Sequence, residues 1–145
     1  MSWSLPILNN PATYDKEKTV EDFEGKKILV IQTHGVETPR RTYSPLFYAM
    51  AAAAMEMDVM VWFTMDGTNQ LKKGEAEKVQ LDPTSDVTLK TMLDQTLESG
   101  VKLRVCQQSM ALWKMSKEDL IDGVEILGAT SIIDLALNSA HVMYF

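Results

Sequence analysis

The stretch ILVIQTHGVETPRRTYSPLFYAMAAAAMEMDVMVWF, residues 28–63, decides the fold. It opens on four consecutive apolar residues, Ile28-Leu29-Val30-Ile31, and closes on a second run, residues 59–63, of β-branched and aromatic side chains. Short continuous apolar runs of this kind fit strands of a parallel sheet buried on both faces. Between them Leu46, Phe47, Met50, Ala53, Ala54 and Met57 recur at helical spacing, and Ser44-Pro45 offers an N-cap followed by proline at the first helical position. The spacing predicts a helix over 44–57 with one apolar stripe. The alanines at 51–54 keep that stripe small, which permits close approach to a sheet. The intervening residues 32–41 are polar and read as a loop.

The same alternation continues toward the carboxyl end. Residues 65–70 read as a loop or short turn, and 75–85, with little periodicity and Asp82-Pro83, as a surface connection. Asp86 is placed to cap a helix in which Leu89, Met92, Leu93, Thr96 and Leu97 share a face, and Gly100 stands where a C′ glycine ends it. A strand over 101–106 follows. Ser116 to Asp119 has capping-box spacing and predicts a short helix around Leu120 and Ile121. Residues 124–127 form a fourth strand, Ser131 with Asp134 caps a last helix carrying Ile132, Ile133, Ala136 and Leu137, and 141–145 closes the chain as a fifth strand. Strands alternating with helices predict a parallel sheet of about five strands covered on both sides. Residues 1–25 carry two of the five prolines and no sustained period. With Trp3, Leu5, Ile7 and Leu8 they read as an apolar arm packing on its own domain, residues 26–145, or on a neighbouring subunit.

Bulk properties narrow the function. A chain of 145 residues is one domain by length, and a net charge of −6 lacks the clustered cations that a general DNA or RNA binder needs. No segment approaches the roughly 18–20 apolar residues that span a bilayer, and residues 1–10 have no charged region leading into an apolar run, so a cytoplasmic protein off the membrane is expected. The single cysteine cannot form an internal disulfide, so disulfide or polysulfide chemistry there involves another molecule.

That cysteine, Cys106, ends the third strand. Val101, Leu103 and Val105 alternate with Lys102, Arg104 and Cys106, so the thiol shares the basic face and meets a helix start read within 109–115. On spacing alone two readings stand: a small buried hydrophobe, as most free cysteines are, or a thiolate favoured by a sheet edge, nearby cations and a positive helix end. His34, at the end of the first strand, is a candidate base or anion partner at the same edge. Arg40 and Arg41 are candidates for binding an anionic sulfur species, or a solvated pair. Asp66-Gly67 reads as a turn, and Glu118 and Asp119 as helix-capping charges. The chain holds no P-loop, no dinucleotide fingerprint, no zinc spacing and no serine triad, so no cofactor and no metal are expected.

Taken in order, ILVIQTHG, SPLFYAMAAAAMEMDVMVWFTMDG, LKKG, LDQTLESGVKLRVCQQS, MSKEDLIDGVEILGA and SIIDLALNSAHVMYF resemble the DsrE/DsrF-like family of sulfur-transfer proteins over residues 26–145. The resemblance implies a three-layer α/β/α domain of flavodoxin-like appearance and assembly into homo-oligomers such as trimers or hexamers. It implies that Cys106 accepts sulfane sulfur as a persulfide and passes it on, with TusA-like or rhodanese-like donor and acceptor proteins as partners. Some relatives carry a second cysteine three residues on. Here that position is Ser109, which removes a local dithiol and leaves a one-cysteine carrier. Lys102, Arg104, His34, Ser109 and Arg40 are then supporting candidates. A noncatalytic oligomeric interaction protein and a small-ligand binder of the same fold are the alternatives.

Overall fold

A computed structural model describes residues 22–145. The proposed arm over residues 1–25 therefore lies almost entirely outside the described residues. Five strands, β1 (Lys27–Gln32), β2 (Asp58–Phe63), β3 (Lys102–Cys106), β4 (Val124–Leu127) and β5 (His141–Tyr144), form one sheet in the order β4-β3-β2-β1-β5. Every pairing is parallel. Among the described residues four α-helices accompany them: α1 (Tyr43–Ala54), α2 (Leu89–Glu98), α3 (Gln107–Leu112) and α4 (Ala129–Leu137).

The register sorts the side chains by face. Val30, Val61, Leu103 and Ile126 project to one side, where Val61 and Leu103 pair directly. Val30, Val61, Phe63 and Leu103 are completely buried there with Leu46 and Ala49 of α1 and Leu89, Met92 and Leu93 of α2 in one apolar cluster. The other side carries Leu29, Met60, Trp62, Arg104, Cys106 and Leu127. Leu29 and Ile132 of α4 are buried but stand apart from that cluster, so α4 lies on the second face. The chain steps from β1 outward to β4 and then crosses back past β1 to β5. Reversing direction while keeping crossovers right-handed puts α1 and α4 on opposite faces. The three layers are unequal, however. Asp58, Met60 and Trp62 are each half-buried while Val59, Val61 and Phe63 between them are sealed, so the second face is covered only in part by the described residues.

Several boundaries differ from the sequence expectation. α1 starts at Tyr43 with Thr42 as N-cap and stops at Ala54, because Met55 and Glu56 turn back, Glu56 at positive φ, to deliver the chain to β2. Residues 65–70 are not a loose turn but part of a 3-10 helix, Met65–Leu71, buried from Gly67 onward. The connection over 75–85 contains a 3-10 turn, Ala76–Lys78, and buries Ala76 and Val79. Thr88, not Asp86, caps α2: its hydroxyl accepts from the Thr91 N–H at 3.3 Å, and the Thr91 hydroxyl accepts from the Thr88 N–H. Gly100 does take the left-handed C′ conformation, φ +86°. Ser116 and Asp119 form the expected capping box, yet the helix ends after a single 3-10 turn because Leu120 pairs with Lys72 in a β-bridge. Ser131 and Asp134 sit inside α4, whose N-cap is Gly128.

Candidate functional site

β3 ends at Cys106, and the same residue is the N-cap of α3, two residues earlier than the sequence suggested for the helix start. An extended residue that hands over to a helix turns its side chain toward the first free N–H groups of that helix. The side chain closes no cap hydrogen bond in the thiol form, but the thiolate would draw on four neighbouring donors, the backbone N–H groups of Gln108 and Ser109 and the hydroxyls of Ser109 and Thr64. Burial pushes the thiol up, but these four donors act together against it and hold Cys106 below the ordinary thiol range. The residue retains only 4% of its surface. Oε1 of the exposed Gln108 side chain lies 3.9 Å from Sγ.

Ser109 organises this corner. It is buried, and its Oγ accepts the Met65 N–H at 2.8 Å and lies 3.2 Å from Thr64 Oγ1. With that acceptor position taken by an amide, its own proton points to Thr64 or to the sulfur. Met65 holds a positive φ of 53°, and its carbonyl accepts from the Trp113 indole N–H at 3.0 Å. The β2 end and α3 are thus tied together around the thiol. Thr64 was not foreseen from sequence; its place one residue beyond β2, in register with Cys106, is the signal that would have found it.

The other candidates are dispersed. Lys102 lies at the opposite end of β3 and pairs with Asp58 at 3.0 Å across the edge of the sheet. Arg104 shares the Cys106 face two residues back, but its guanidinium is committed to Glu125 at 3.3 Å and to the Leu103 carbonyl at 2.9 Å. His34 is not beside Cys106: β2 intervenes between their strands, a separation of roughly 10 Å at the usual strand spacing. Its Nε2 instead accepts from Arg41 Nη1 at 3.0 Å. Arg40 lies in the short 3-10 turn Pro39–Arg41, on the His34 side of the sheet edge. Only Ser109, of the supporting candidates, touches the thiol. Among the described residues no group of His, Cys, Asp and Glu is arranged to hold a metal, and no helix is long and apolar enough to cross a membrane.

Comparison with known proteins follows the same outline. The profile of the DsrE/DsrF-like family matches residues 26–145. The sulfur carrier protein DsrE2 of Allochromatium vinosum is 27% identical, the match covering 83% of this chain and 99% of that protein. An uncharacterized protein of Methanopyrus kandleri is 25% identical over 81% of this chain and 93% of its own length. An uncharacterized protein of Methanocaldococcus jannaschii is 26% identical over 74% of this chain, which spans only 38% of that relative. In three dimensions the ychN protein of E. coli superposes with a TM-score of 0.70 at 20% identity, covering 83% of this chain and 99% of its own. A protein of unknown function from Methanobacterium thermoautotrophicum superposes at 0.59 and 16% identity, over 83% of this chain and 99% of its own.

Proposed function

Since the chain belongs to the DsrE/DsrF-like family, we propose that it is a cytoplasmic sulfur carrier that holds sulfane sulfur on Cys106. The observations that carry this reading are the place of the thiol at the N-cap of α3 and the surrounding donors that lower its pKa. A core-filling cysteine needs none of them. The likeness to a sulfur carrier protein points the same way.

The reaction is a thiol exchange. The Cys106 thiolate attacks the outer sulfur of a donor persulfide, R–S–S⁻; a new Cys106 S–S bond forms, the donor S–S bond breaks, and R–S⁻ leaves with the electron pair. Cys106 then carries S–S⁻, and the Ser109 and Thr64 hydroxyls and the Gln108 and Ser109 N–H groups stabilise that anion as they stabilise the thiolate. Attack by an acceptor thiolate on the terminal sulfur completes the cycle and restores Cys106. Donor and acceptor are separate molecules, since a single thiol leaves no local partner, and the family resemblance makes TusA-like or rhodanese-like proteins the candidates. Access to the buried sulfur requires side-chain motion at this corner, and the exposed Gln108, 3.9 Å from Sγ, is free to change rotamer.

Intact mass measurement after incubation with polysulfide tests the proposal. The wild type gains one or more sulfur masses, reversed by dithiothreitol, and Cys106→Ser gains none. Equal gain by the variant, or none by the wild type, ends the reading.

The second reading, a noncatalytic interaction protein, is favoured by the burial of Cys106 and by the apolar residues left exposed on the second face. Ile133 is 61% exposed, Leu137 82% and Tyr144 69%. Ile133 and Leu137 lie one turn apart on α4, and a second copy of this chain is the occupant proposed for them. Both readings therefore predict a homo-oligomer, trimer or hexamer, that sediments as a monomer once Ile133→Asp and Leu137→Asp are combined. Rapid modification of native Cys106 by iodoacetamide separates them, because only the carrier needs a reachable thiol.

A further inference from the structure

We propose that the crevice where the carboxyl ends of β1 and β5 meet is a second binding site, for a small organic oxyanion: a phosphate or carboxylate joined to a planar apolar body. The crevice, about 270 Å³, is lined by His34, Arg40, Arg41, Ser44, Tyr48 and Phe145. A larger cavity of about 590 Å³ adjoins it across the same two arginines, with Tyr43, Leu81 and Pro83 as apolar wall.

Four observations converge here. The first is topological. The connection leaving β1 runs to β2 on one side, while the last crossover comes back past β1 to β5 on the other. Ligands of open parallel sheets bind where connections diverge in this way, outside the carboxyl ends of the strands. The second is charge. Neither Arg40 nor Arg41 forms an ion pair among the described residues, and Glu37, the carboxylate within the same loop, is bound by the Asn69 side-chain amide. The third is preorganisation. Gln32 and Gln70 are fully buried under the loop. Gln32 Nε2 donates to the carbonyls of Arg41 and Thr42, each at 3.2 Å, and its Oε1 accepts the His34 N–H at 3.0 Å. Gln70 Nε2 donates to the His34 carbonyl at 2.9 Å. Both ends of a polar loop are thereby clasped from beneath, which a merely solvated loop does not require. Arg41 Nη1 donates to His34 Nε2 at 3.0 Å, and the other ring nitrogen, Nδ1, lies 3.2 Å from Thr33 Oγ1, so the imidazole serves to aim Arg41.

The fourth observation is shape. Tyr48, 52% exposed, stacks on Phe145 with ring centroids 5.6 Å apart and planes inclined by 23°. That pair offers a flat apolar surface beside two planar guanidinium forks, which suit the two oxygens of a phosphate or carboxylate. The site lies two strands from Cys106 and stands independently of the sulfur reading.

Titration calorimetry with ADP, indole-3-acetate, inorganic phosphate and adenosine tests it. ADP binding marks an organic phosphate as the ligand, and indole-3-acetate binding an organic carboxylate. In either case the anion binds at least roughly tenfold more tightly than phosphate or adenosine alone, and Arg40→Gln with Arg41→Gln weakens it by roughly tenfold or more. Cys106→Ser leaves the affinity unchanged. Arg40 and Arg41 are exposed, so the double variant should fold. Should circular dichroism show otherwise, Tyr48→Ser is read in its place, with the same loss expected. Absence of binding by both organic anions, affinity no better than that of phosphate, binding that survives the substitutions, or loss in Cys106→Ser overturns the proposal.

Discussion

The two faces of the sheet are made by the same strands and share one backbone, yet they are finished differently. Under α1 and α2, Val59, Val61 and Phe63 of β2 are sealed at 2% exposure or less. One residue over, on the reverse side, Met60 and Trp62 remain half-buried, and Arg104, itself largely covered, pairs with an exposed Glu125. The sealed face supplies stability, and the open face carries Cys106 at its end. A reactive group can be held in place by a rigid scaffold only if the scaffold itself does not depend on the surface around that group.

Substitutions on the two faces sharpen the contrast. Phe63→Ala, on the sealed face, removes a completely buried ring and should cost about 3–5 kcal/mol in a urea titration. A loss below about 1 kcal/mol would mean that this face is less tightly packed than it looks. Ser109→Ala, at the carboxyl end of the open face, leaves the Met65 N–H without its acceptor and should cost about 1–3 kcal/mol. It should also shift the pH midpoint of Cys106 alkylation upward, toward the ordinary thiol value. The sign follows from linkage: the folded thiol titrates below the unfolded one, so the stability it contributes is complete above the unfolded value and is lost as pH falls through the folded value. The wild type should therefore gain on Ser109→Ala as pH rises. Lys102→Ala breaks an ion pair whose side chains are 47% and 39% exposed, and the expected change is about 0–1 kcal/mol, smaller in added salt. A larger loss would show that even the far end of the open face is structural.

The strands were legible because each is a compact apolar run bounded by loop residues, and the ordering of strand and helix fixed the parallel class. What the runs concealed was the inequality of the two faces. Val59 to Phe63 is apolar at every position, so its period of two in burial leaves no period of two in hydrophobicity, and in Ile28 to Ile31 the adjacent Leu29 and Val30 are both buried. Helix starts were misread for a different reason. Serine and aspartate at 44, 86 and 131 are strong capping residues by type, whereas the caps are Thr42, Thr88 and Gly128. A threonine that answers another threonine, as at Thr88 and Thr91, lacks the acidic partner by which such boxes are usually recognised. At the site, Cys106 could be placed from alternation alone, but Thr64 and Ser109 come together only because β2 and β3 are adjacent. The separation of His34 from the thiol likewise depends on strand order, which local spacing does not encode.

Strand order also bears on how the chain is made. β1 leaves the ribosome well before β5, its partner on one side, with more than a hundred residues synthesised between Ile28 and His141. Throughout that interval an apolar strand presents a bare row of amides and carbonyls to its surroundings, the condition under which nascent chains pair with one another. Anything that slows translation of β5, or removes it, lengthens the time that this edge stands open and should raise the yield of swapped or aggregated product.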